Sequence, residues 1–467
     1  MTCPISAVKS TKPIVKGDMM KNNELNEIIK AAEQGSADAQ CHLGVLYGHG
    51  EGLSQSDENA VKWLSQAAEQ GHARAQANLG LHYRRGLGIT QNDRKAVKWY
   101  TKAAEQGDSL GQSNLGLMYK NGWGVLQSDK LAANWYALSA EQGHATAQFN
   151  LGLMYGHGEG VRHNDNIAVK WFIAASVQGI AEAQYYLGFM YDNGMGILKN
   201  YVWAHVWYNL AIYNGSSSGI KYKEKITREM TPTQIKKAQE MYAECLQSGY
   251  KDVSMIASFD MGMSAAQSSD YLMALSVWVP LAEQGYASAQ YNLGHIYARG
   301  YGIPADNKSA MQWYTKAAKL GYVEAQVELG TIYNNGQDVT KDHETAMYWY
   351  TKAADSGDAY AQFNIGLMHQ HATGVPQCHK TAAEWFSLAA KQGLADAQFY
   401  LGVLFANGGG VQEDCLRAYM WCSLADFNGD SKATEYKDKI ANKMTSSQIE
   451  KAHEMANHCL KSGYTVC

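Results

Sequence analysis

A motif that returns every 36 residues constrains this chain more than any other feature of its sequence. The motif is AAEQG or a close variant, and each copy ends in glycine. Its copies begin at Ala31, Ala67, Ala103, Ser139 and Ala175 and, after a gap, at Leu281, Ala317, Ala353 and Ala389. Self-similarity at such a fixed period is typical of solenoids, in which each repeat buries its apolar face against its neighbours. The sequence therefore predicts five stacked repeats, an interruption and four more.

Each repeat has the pattern of two helices. The first carries A-Q-x-x-L-G-x-x-Y, as in the segment 75–83, which places small and apolar residues on one helical face. A G-x-G turn follows, for example at Gly86 and Gly88, because glycine accepts positive φ angles without steric cost. The second helix is predicted to begin at an aspartate N-cap and to end at the glycine of the next motif copy. The predicted N-caps are Asp57, Asp93, Asp129 and Asp165.

A tryptophan stands in the second helix of all nine repeats, from Trp63 to Trp421. The first helix offers small residues such as Ala75 and Gly80, which let helices approach closely. We expect the tryptophan rings to face these small residues and to fill the groove between successive repeats. A core role is therefore favoured over stacking on a ligand.

The interruption between the two series is itself duplicated. The segment 230–250 returns as 444–464, at a constant offset of 214 residues. Each copy contains a capping box, Thr231 with Gln234 and Thr445 with Gln448. Both copies are predicted to be terminal caps that cover an apolar face which no further repeat would bury.

These motifs together resemble the Sel-1-like repeat, a relative of the tetratricopeptide repeat. The agreement is nearly literal at residues 145–161, ATAQFNLGLMYGHGEGV, followed by Ala168 and Trp171. The resemblance implies an all-α fold, an α/α superhelical solenoid of 36-residue helix-pair repeats in two capped arrays. By analogy with other helix-pair solenoids, we expect a curved, right-handed superhelix with a concave side.

The expected divisions follow from the repeats and their interruption. Residues 1–20 are predicted to be a flexible N-terminus, and 21–250 the first array with its C-terminal cap. The Ser-, Asp- and Met-rich segment 251–269 shows no repeat pattern and is predicted to be a linker. Residues 270–467 form the predicted second array with its cap. Three residues depart from the pattern and predict looser turns in repeats 317–352 and 353–388, namely Asp338, His369 and Ala372.

Composition excludes some classes of function. The net charge is −4 and the pI is near 6.4, with no polybasic run, which disfavours binding to nucleic acid. No apolar run is long enough to span a bilayer, and the first 20 residues lack the apolar core of a secretory signal. A cytoplasmic location is the default expectation, with signal-independent secretion left open. The eight cysteines do not recur as a pair in every repeat, which predicts reduced thiols.

The resemblance implies a non-catalytic scaffold or adaptor that binds protein or peptide partners and needs no cofactor. If the first helix of each pair lines the concave face, as the resemblance implies, a row of asparagines faces outward along it. Side-chain amides can donate to and accept from the backbone of an extended peptide, and cations at the helix ends can bind acidic groups. The candidate binding residues are Asn78, Asn114, Asn150, Asn292, Asn364, Arg84, Arg85, Lys120 and Arg299. The asparagines could equally contact a neighbouring helix or water.

Three other functions remain as alternatives. Some relatives carry β-lactamase-like labels, and S-x-x-K occurs at 6–9 and 218–221, but no S-D-N or K-T-G partner motif accompanies it. A metal-dependent activity would need ligands, and the densest cluster comprises His369, His371, Cys378 and His379. This spacing matches no standard zinc site, so coincidence is favoured. The third alternative is a structural spacer that sets the distance between bound partners.

Overall fold

The computed structural model describes residues 22–248, 250–337, 339–464 and 467. Within those residues it contains 25 α-helices and no β-strand, which confirms the all-α prediction. The chain divides into two compact units, Met1–Ala274 and Leu275–Cys467. Two expectations, the flexible N-terminus 1–20 and the altered turn at Asp338, lie outside the described residues. None of the described helices is long and apolar enough to cross a membrane.

The helices follow the repeat frame throughout. The first part of the chain forms α1 (Asn22–Glu33), α2 (Ala37–His49), α3 (Asp57–Glu69), α4 (Ala73–Arg85), α5 (Asp93–Glu105), α6 (Ser109–Asn121), α7 (Asp129–Glu141), α8 (Ala145–His157), α9 (Asp165–Ser176), α10 (Ala181–Asn193), α11 (Tyr201–Tyr213), α12 (Ser218–Thr227), α13 (Pro232–Ser248) and α14 (Lys251–Gln267). The remainder forms α15 (Tyr271–Glu283), α16 (Ala287–Arg299), α17 (Asn307–Lys319), α18 (Val323–Asn335), α19 (His343–Asp355), α20 (Ala359–His371), α21 (His379–Ala390), α22 (Ala395–Asn407), α23 (Cys415–Phe427), α24 (Ser431–Ala441) and α25 (Ser446–Lys461). We call the first helix of each repeat its A helix (α2, α4, α6, α8, α10, α16, α18, α20 and α22) and the next its B helix.

The N-caps of the B helices lie one residue before the predicted ones. In the first four repeats the side chain of Ser56, Asn92, Ser128 or Asn164 accepts a hydrogen bond from the backbone N–H three residues later. The predicted caps, Asp57, Asp93, Asp129 and Asp165, instead occupy the first helical position. Their negative charges are favourable there because the helix dipole is positive at that end. The prediction was wrong because two adjacent residues both have the chemistry of an N-cap.

Within each repeat, the A and B helices are held at close range by a B-helix side chain packed on a glycine, which is an aromatic ring in seven repeats, Leu64 in the first and Cys422 in the last. A Cβ at Gly80 would lie 2.7 Å from Cε1 of Tyr100, so only glycine fits there. Both residues are buried, and the residue on the glycine is always the one after the repeat's tryptophan. The expectation that the tryptophans face the small residues is therefore wrong. Their predicted place between repeats is confirmed, since half-buried Trp99 packs on a core cluster built from two successive repeats.

Successive repeats are joined by a buried glutamine near the start of each A helix. The Nε2 of Gln76 donates to the backbone oxygen of Ala68 at 3.1 Å, and its Oε1 accepts from Nε2 of Gln106 at 2.7 Å. Because Gln76 is only 3% exposed, both polar atoms need partners inside the protein. The equivalent pairs are Gln40–Gln70, Gln112–Gln142, Gln148–Gln178, Gln184–Asn214, Gln362–Gln392 and Gln398–Asn428. We call this series the glutamine ladder.

The two predicted caps end the ladder in the same way. The Nδ2 of Asn214 also donates to the hydroxyl of Tyr250 at 3.2 Å, and Asn428 makes the same bond to Tyr464 at 2.8 Å. Both capping boxes are present at the starts of α13 and α25. These helices pack on α11 and α23, the last B helices of their arrays. The duplicated segment therefore packs on the last B helix of its array in both places.

The segment 251–269, predicted to be a linker, is mostly helical. Helix α14 packs on α9 and α13, and Ala257, Met261 and Ala265 are buried along one of its faces. The hydroxyl of Tyr191 donates to a carboxylate oxygen of Asp260 at 3.0 Å. The prediction was wrong because it relied on the 36-residue motif, which α14 lacks. The helix shows instead buried residues at every fourth position, the spacing of one apolar helix face.

Two local expectations also differ from the structure. Ala372 takes the left-handed C-cap conformation of its glycine counterparts, with φ of 56°, and its N–H donates to the oxygen of Met368. The turn of repeat 353–388 therefore keeps the usual geometry instead of loosening. Cys459 and Cys467 form a disulfide across a Cα separation of 4.9 Å, which is within bridging range, so these two are not reduced thiols. Free thiols are found at Cys41, Cys378, Cys415 and Cys422.

Two rungs of the glutamine ladder lack their donor. Leu320 and Ser356 stand where the other repeats have glutamine or asparagine, and the Oε1 atoms of Gln290 and Gln326 are buried without a hydrogen-bond partner. A buried acceptor left unpaired costs about 1–3 kcal/mol. A substitution at an exposed turn thus weakens a buried contact in the A helix of the same repeat.

We expect Leu320→Gln to stabilise the protein by about 1 kcal/mol, because the new amide can donate to Gln290 Oε1. Leu320 is 58% exposed, so replacing its side chain removes little buried apolar surface from the protein. Urea denaturation followed by circular dichroism measures the change. Leu320→Ala is the matched control, since it removes leucine without adding a donor, and equal midpoints for the two variants would contradict the prediction.

Candidate partner-binding face

The outward-facing residues of successive A helices form one surface, which we call the A-helix face. Cα atoms of α4 approach those of both α2 and α6 to within 8 Å. The inward positions of these helices are taken by the ladder glutamines and the glycines beneath the rings. The positions left for a partner on these helices are the half-buried and exposed ones.

The candidate asparagines occupy equivalent places on this face but differ in their contacts. The Nδ2 of Asn292 donates to the backbone oxygen of Ser288 at 2.9 Å, and that of Asn364 donates to Tyr360 at 2.8 Å. These two amides thus bond to their own helix. Asn78, Asn114 and Asn150 are half-buried, and the Nδ2 of Asn114 is buried without a hydrogen-bond partner. The first unit therefore holds the asparagine with an unused donor.

Two of the four candidate cations are used by the fold itself. The guanidinium of Arg84 lies 3.8 Å above the ring of Trp123, and its Nε is 3.6 Å from Oδ1 of Asp93. The ammonium of Lys120 contacts Asp129 at 3.0 Å and Glu159 at 2.7 Å. Arg85 and Arg299, by contrast, are exposed.

Lys120 links three helices, because Asp129 begins α7 and Glu159 follows α8. Burial by itself lowers the pKa of Lys120, but hydrogen bonds to Glu159 and Asp129 outweigh it and leave the pKa raised. The amine of Lys120 therefore binds its proton more tightly in the folded protein than in the unfolded chain. Its stabilising contribution is fully present below the ordinary lysine pKa of 10.5 and is lost as the pH rises through the raised value.

The described residues do not form the metal or hydrolase sites that the alternative functions would need. In the described part of the chain, no group of three or more His, Cys, Asp or Glu side chains is arranged to hold a metal ion. His371 and His379 are exposed, and Cys378 is an N-cap residue that accepts a hydrogen bond from Thr381 Oγ1 at 3.1 Å. Ser218 and Lys221 are both exposed on α12, while the segment 6–9 lies outside the described residues.

Sequence reasoning overlooked two residues on the face of the second unit. His295 replaces the aliphatic residue found at Leu81 and Leu117, and Glu328 replaces the asparagine of the row. Together with Arg299, they line a cavity of about 340 Å³. Aligning the repeats column by column reveals both replacements, but only the structure brings them to one cavity.

Comparison with known proteins gives a consistent result. The family model described as the Sel1 repeat matches residues 37–72, 73–108, 109–144, 145–179, 181–216, 287–322, 323–358, 359–394 and 395–425. A solved structure of c5321, described as a protective antigen present in uropathogenic Escherichia coli strains and displaying an SLR fold, is 32% identical with a TM-score of 0.46. The match covers 94% of this chain and 96% of that one. A Sel1 repeat protein from Oxalobacter formigenes is 35% identical over 47% of this chain and 93% of its own, with a TM-score of 0.41. No match was found among curated proteins.

We expect Lys120→Gln to lower the free energy of unfolding by about 0.5–1 kcal/mol, because it removes an ion-pair network that is only partly shielded from water. The loss is expected to shrink in high salt, where screening weakens the pairs in the wild-type protein. Urea denaturation at low and high ionic strength measures both effects. Lys130→Gln removes an exposed charge from the same region as a control; a loss as large in the control as in Lys120→Gln would contradict the assignment.

Proposed function

Because the chain belongs to the Sel1 repeat family, whose members generally act as protein-interaction scaffolds, we propose that it is a non-catalytic scaffold or adaptor that binds peptide segments on its A-helix faces. The observation that carries this proposal is the Nδ2 of Asn114, a buried donor without a partner in the middle of the asparagine row. A donor left unpaired in this way costs free energy, which a partner's carbonyl oxygen would recover.

The spacing of the row suits an extended peptide. Packed helices lie about 8–10 Å apart, and an extended chain advances about 3.3 Å per residue. Asn78, Asn114 and Asn150 occupy equivalent positions on successive A helices, so they would meet roughly every third residue of a peptide laid across the helices. An amide can both donate to and accept from a peptide group. Binding of this kind reads the partner's backbone and tolerates variation in its side chains.

The binding face is proposed to rely less on charge than the sequence suggested. Arg84 and Lys120 are held by carboxylates of the same unit, so a partner would have to break those contacts to use them. Arg85 remains the exposed cation at this end of the first unit's face. A spacer function requires partners bound to each array, so it depends on the same binding and is secondary to it.

We expect the triple change of Asn78, Asn114 and Asn150 to alanine to weaken peptide binding by at least about tenfold, because each lost hydrogen bond contributes about 0.5–1.5 kcal/mol. A peptide selected from a displayed random library against the full chain serves as the probe, with fluorescence anisotropy as the readout. The thermal unfolding midpoint should change little, because the row lies outside the ladder and the glycine–ring contacts.

The matched control changes Asn59, Gln66 and Asn134 to alanine, since these exposed amides belong to the B helices α3 and α7. Peptide affinity should be unchanged in this control. Equal loss in both triple variants, or no loss in the asparagine-row variant, would contradict binding on the A-helix face.

A further inference from the structure

A cavity of about 340 Å³ opens between α16, α17 and α18 in the second unit. Ala298, Met311 and Ile332 supply apolar wall, while His295, Glu328 and Arg299 supply polar groups. We call it the α16–α18 pocket. Its mixture of aliphatic wall and a few converging polar groups is typical of a binding site.

Two replacements within the repeat pattern converge on this pocket. Most other A helices carry an aliphatic residue at the position of His295, and five carry asparagine at the position of Glu328. Those repeats form the same helix pairs, so neither the imidazole nor the carboxylate is required for packing. Because the two replacements occur in neighbouring repeats and face the same cavity, a shared role explains them better than separate drift does.

The carboxylate of Glu328 is half-buried and unpaired. No hydrogen bond or ion pair joins it to another side chain in the described part of the chain. A carboxylate partly removed from water favours a cation as its neighbour. The fold therefore leaves a negative charge available to a ligand.

Aromatic rings pack against His295, which lines the same pocket as this carboxylate. His295 makes edge-to-face contacts with Tyr291 at 4.7 Å and Tyr314 at 5.6 Å between ring centroids. Burial, assisted by the charge of Glu328, raises the pKa of Tyr291 to about 12. Burial also lowers the pKa of His295, so its imidazole is neutral near pH 7 and can accept a hydrogen bond.

We propose that the α16–α18 pocket binds a long basic side chain, lysine or arginine, from a peptide segment of the partner. The aliphatic stem would lie along Met311 and Ile332, and the cationic head would pair with Glu328. The ring of Tyr314, which also lines the pocket, favours a cation through its π face. This inference rests on the proposed peptide-binding function and adds a side-chain preference to it.

Arg299 sets the orientation of such a segment. It is exposed at the end of α16, one turn beyond His295, and it repels a second cation next to the first. A basic residue flanked by acidic or neutral residues therefore fits better than a continuous basic run. An anionic ligand on Arg299 is disfavoured, because Glu328 lines the same pocket.

The test is methyl NMR of the full chain with labelled methionine and isoleucine methyl groups. The probes are two amidated, acetylated tetrapeptides, Ser-Lys-Ser-Ser and Ser-Glu-Ser-Ser. The lysine peptide should give saturable shifts at the methyl groups of Met311 and Ile332, whereas the glutamate peptide should not. Glu328→Gln, which keeps the side-chain shape, should weaken lysine-peptide binding about fivefold, the upper end of the loss expected for an ion pair that is partly exposed to water.

Glu324→Gln is the matched control, since Glu324 is an exposed carboxylate of the same helix. It should leave the shifts unchanged. His295→Leu restores the residue type of the other repeats and should also weaken binding, with the remaining methyl spectrum showing that the fold is intact. Equal shifts with the glutamate peptide, full binding by Glu328→Gln, or no saturable shift at Met311 and Ile332 would overturn the proposal. Those results would leave the asparagine row of the first unit, and its own test, unaffected.

Discussion

The buried glutamine that bonds each repeat to the backbone of the repeat before it is the contact on which the solenoid most depends. Gln106 reaches back to Gln76, and Gln76 in turn bonds to the backbone at the end of the preceding B helix. One side chain thus connects α4 to α3 of the preceding repeat and to the end of α5 in its own repeat. Because an amide has a donor and an acceptor at fixed positions, the bond sets the register of neighbouring repeats as well as their attraction, which apolar packing alone does not do.

The glycine–ring contact has the complementary role within each repeat. Without a Cβ at Gly80 or Gly116, the rings of Tyr100 and Tyr136 lie directly on the A-helix backbone. The ladder glutamines and the side chains packed on the glycines occupy inward positions of the A helices. The asparagine row and the α16–α18 pocket use other positions, where the repeats differ from one another.

Two interpretations of the sequence were correct in kind and wrong by one position, and a third missed a helix. The N-caps were displaced by one residue because Ser56 and Asp57 both have N-cap chemistry, and only the hydrogen bond distinguishes them. The ring on the glycine was assigned to Trp99 instead of Tyr100, because both are large and adjacent, and which faces inward depends on the rotation of the B helix. The helical face of α14 was present in the sequence as Ala257, Met261 and Ala265, but it lacks the repeat motif.

The candidate site was less accessible to sequence reasoning than the fold. Arg84 and Lys120 look like free cations at the ends of their helices, yet Asp93, Asp129 and Glu159 pair with them. Glu159 is 39 residues from Lys120, so no local pattern indicates that pair. His295 and Glu328 belong to different repeats, and their convergence depends on how two A helices pack.

The sequence by itself determined the repeat length, the number of helix pairs, the duplicated end segments and the family. The reason is that each repeat of a solenoid contacts only its neighbours, so the repeating contacts appear along the chain as a repeating motif, here every 36 residues. Only the tertiary structure decided which polar groups are used by the fold and which remain for a partner. The physical reason is that a side chain's hydrogen bonds and ion pairs reach across repeats, between atoms that are neighbours in space and distant along the chain.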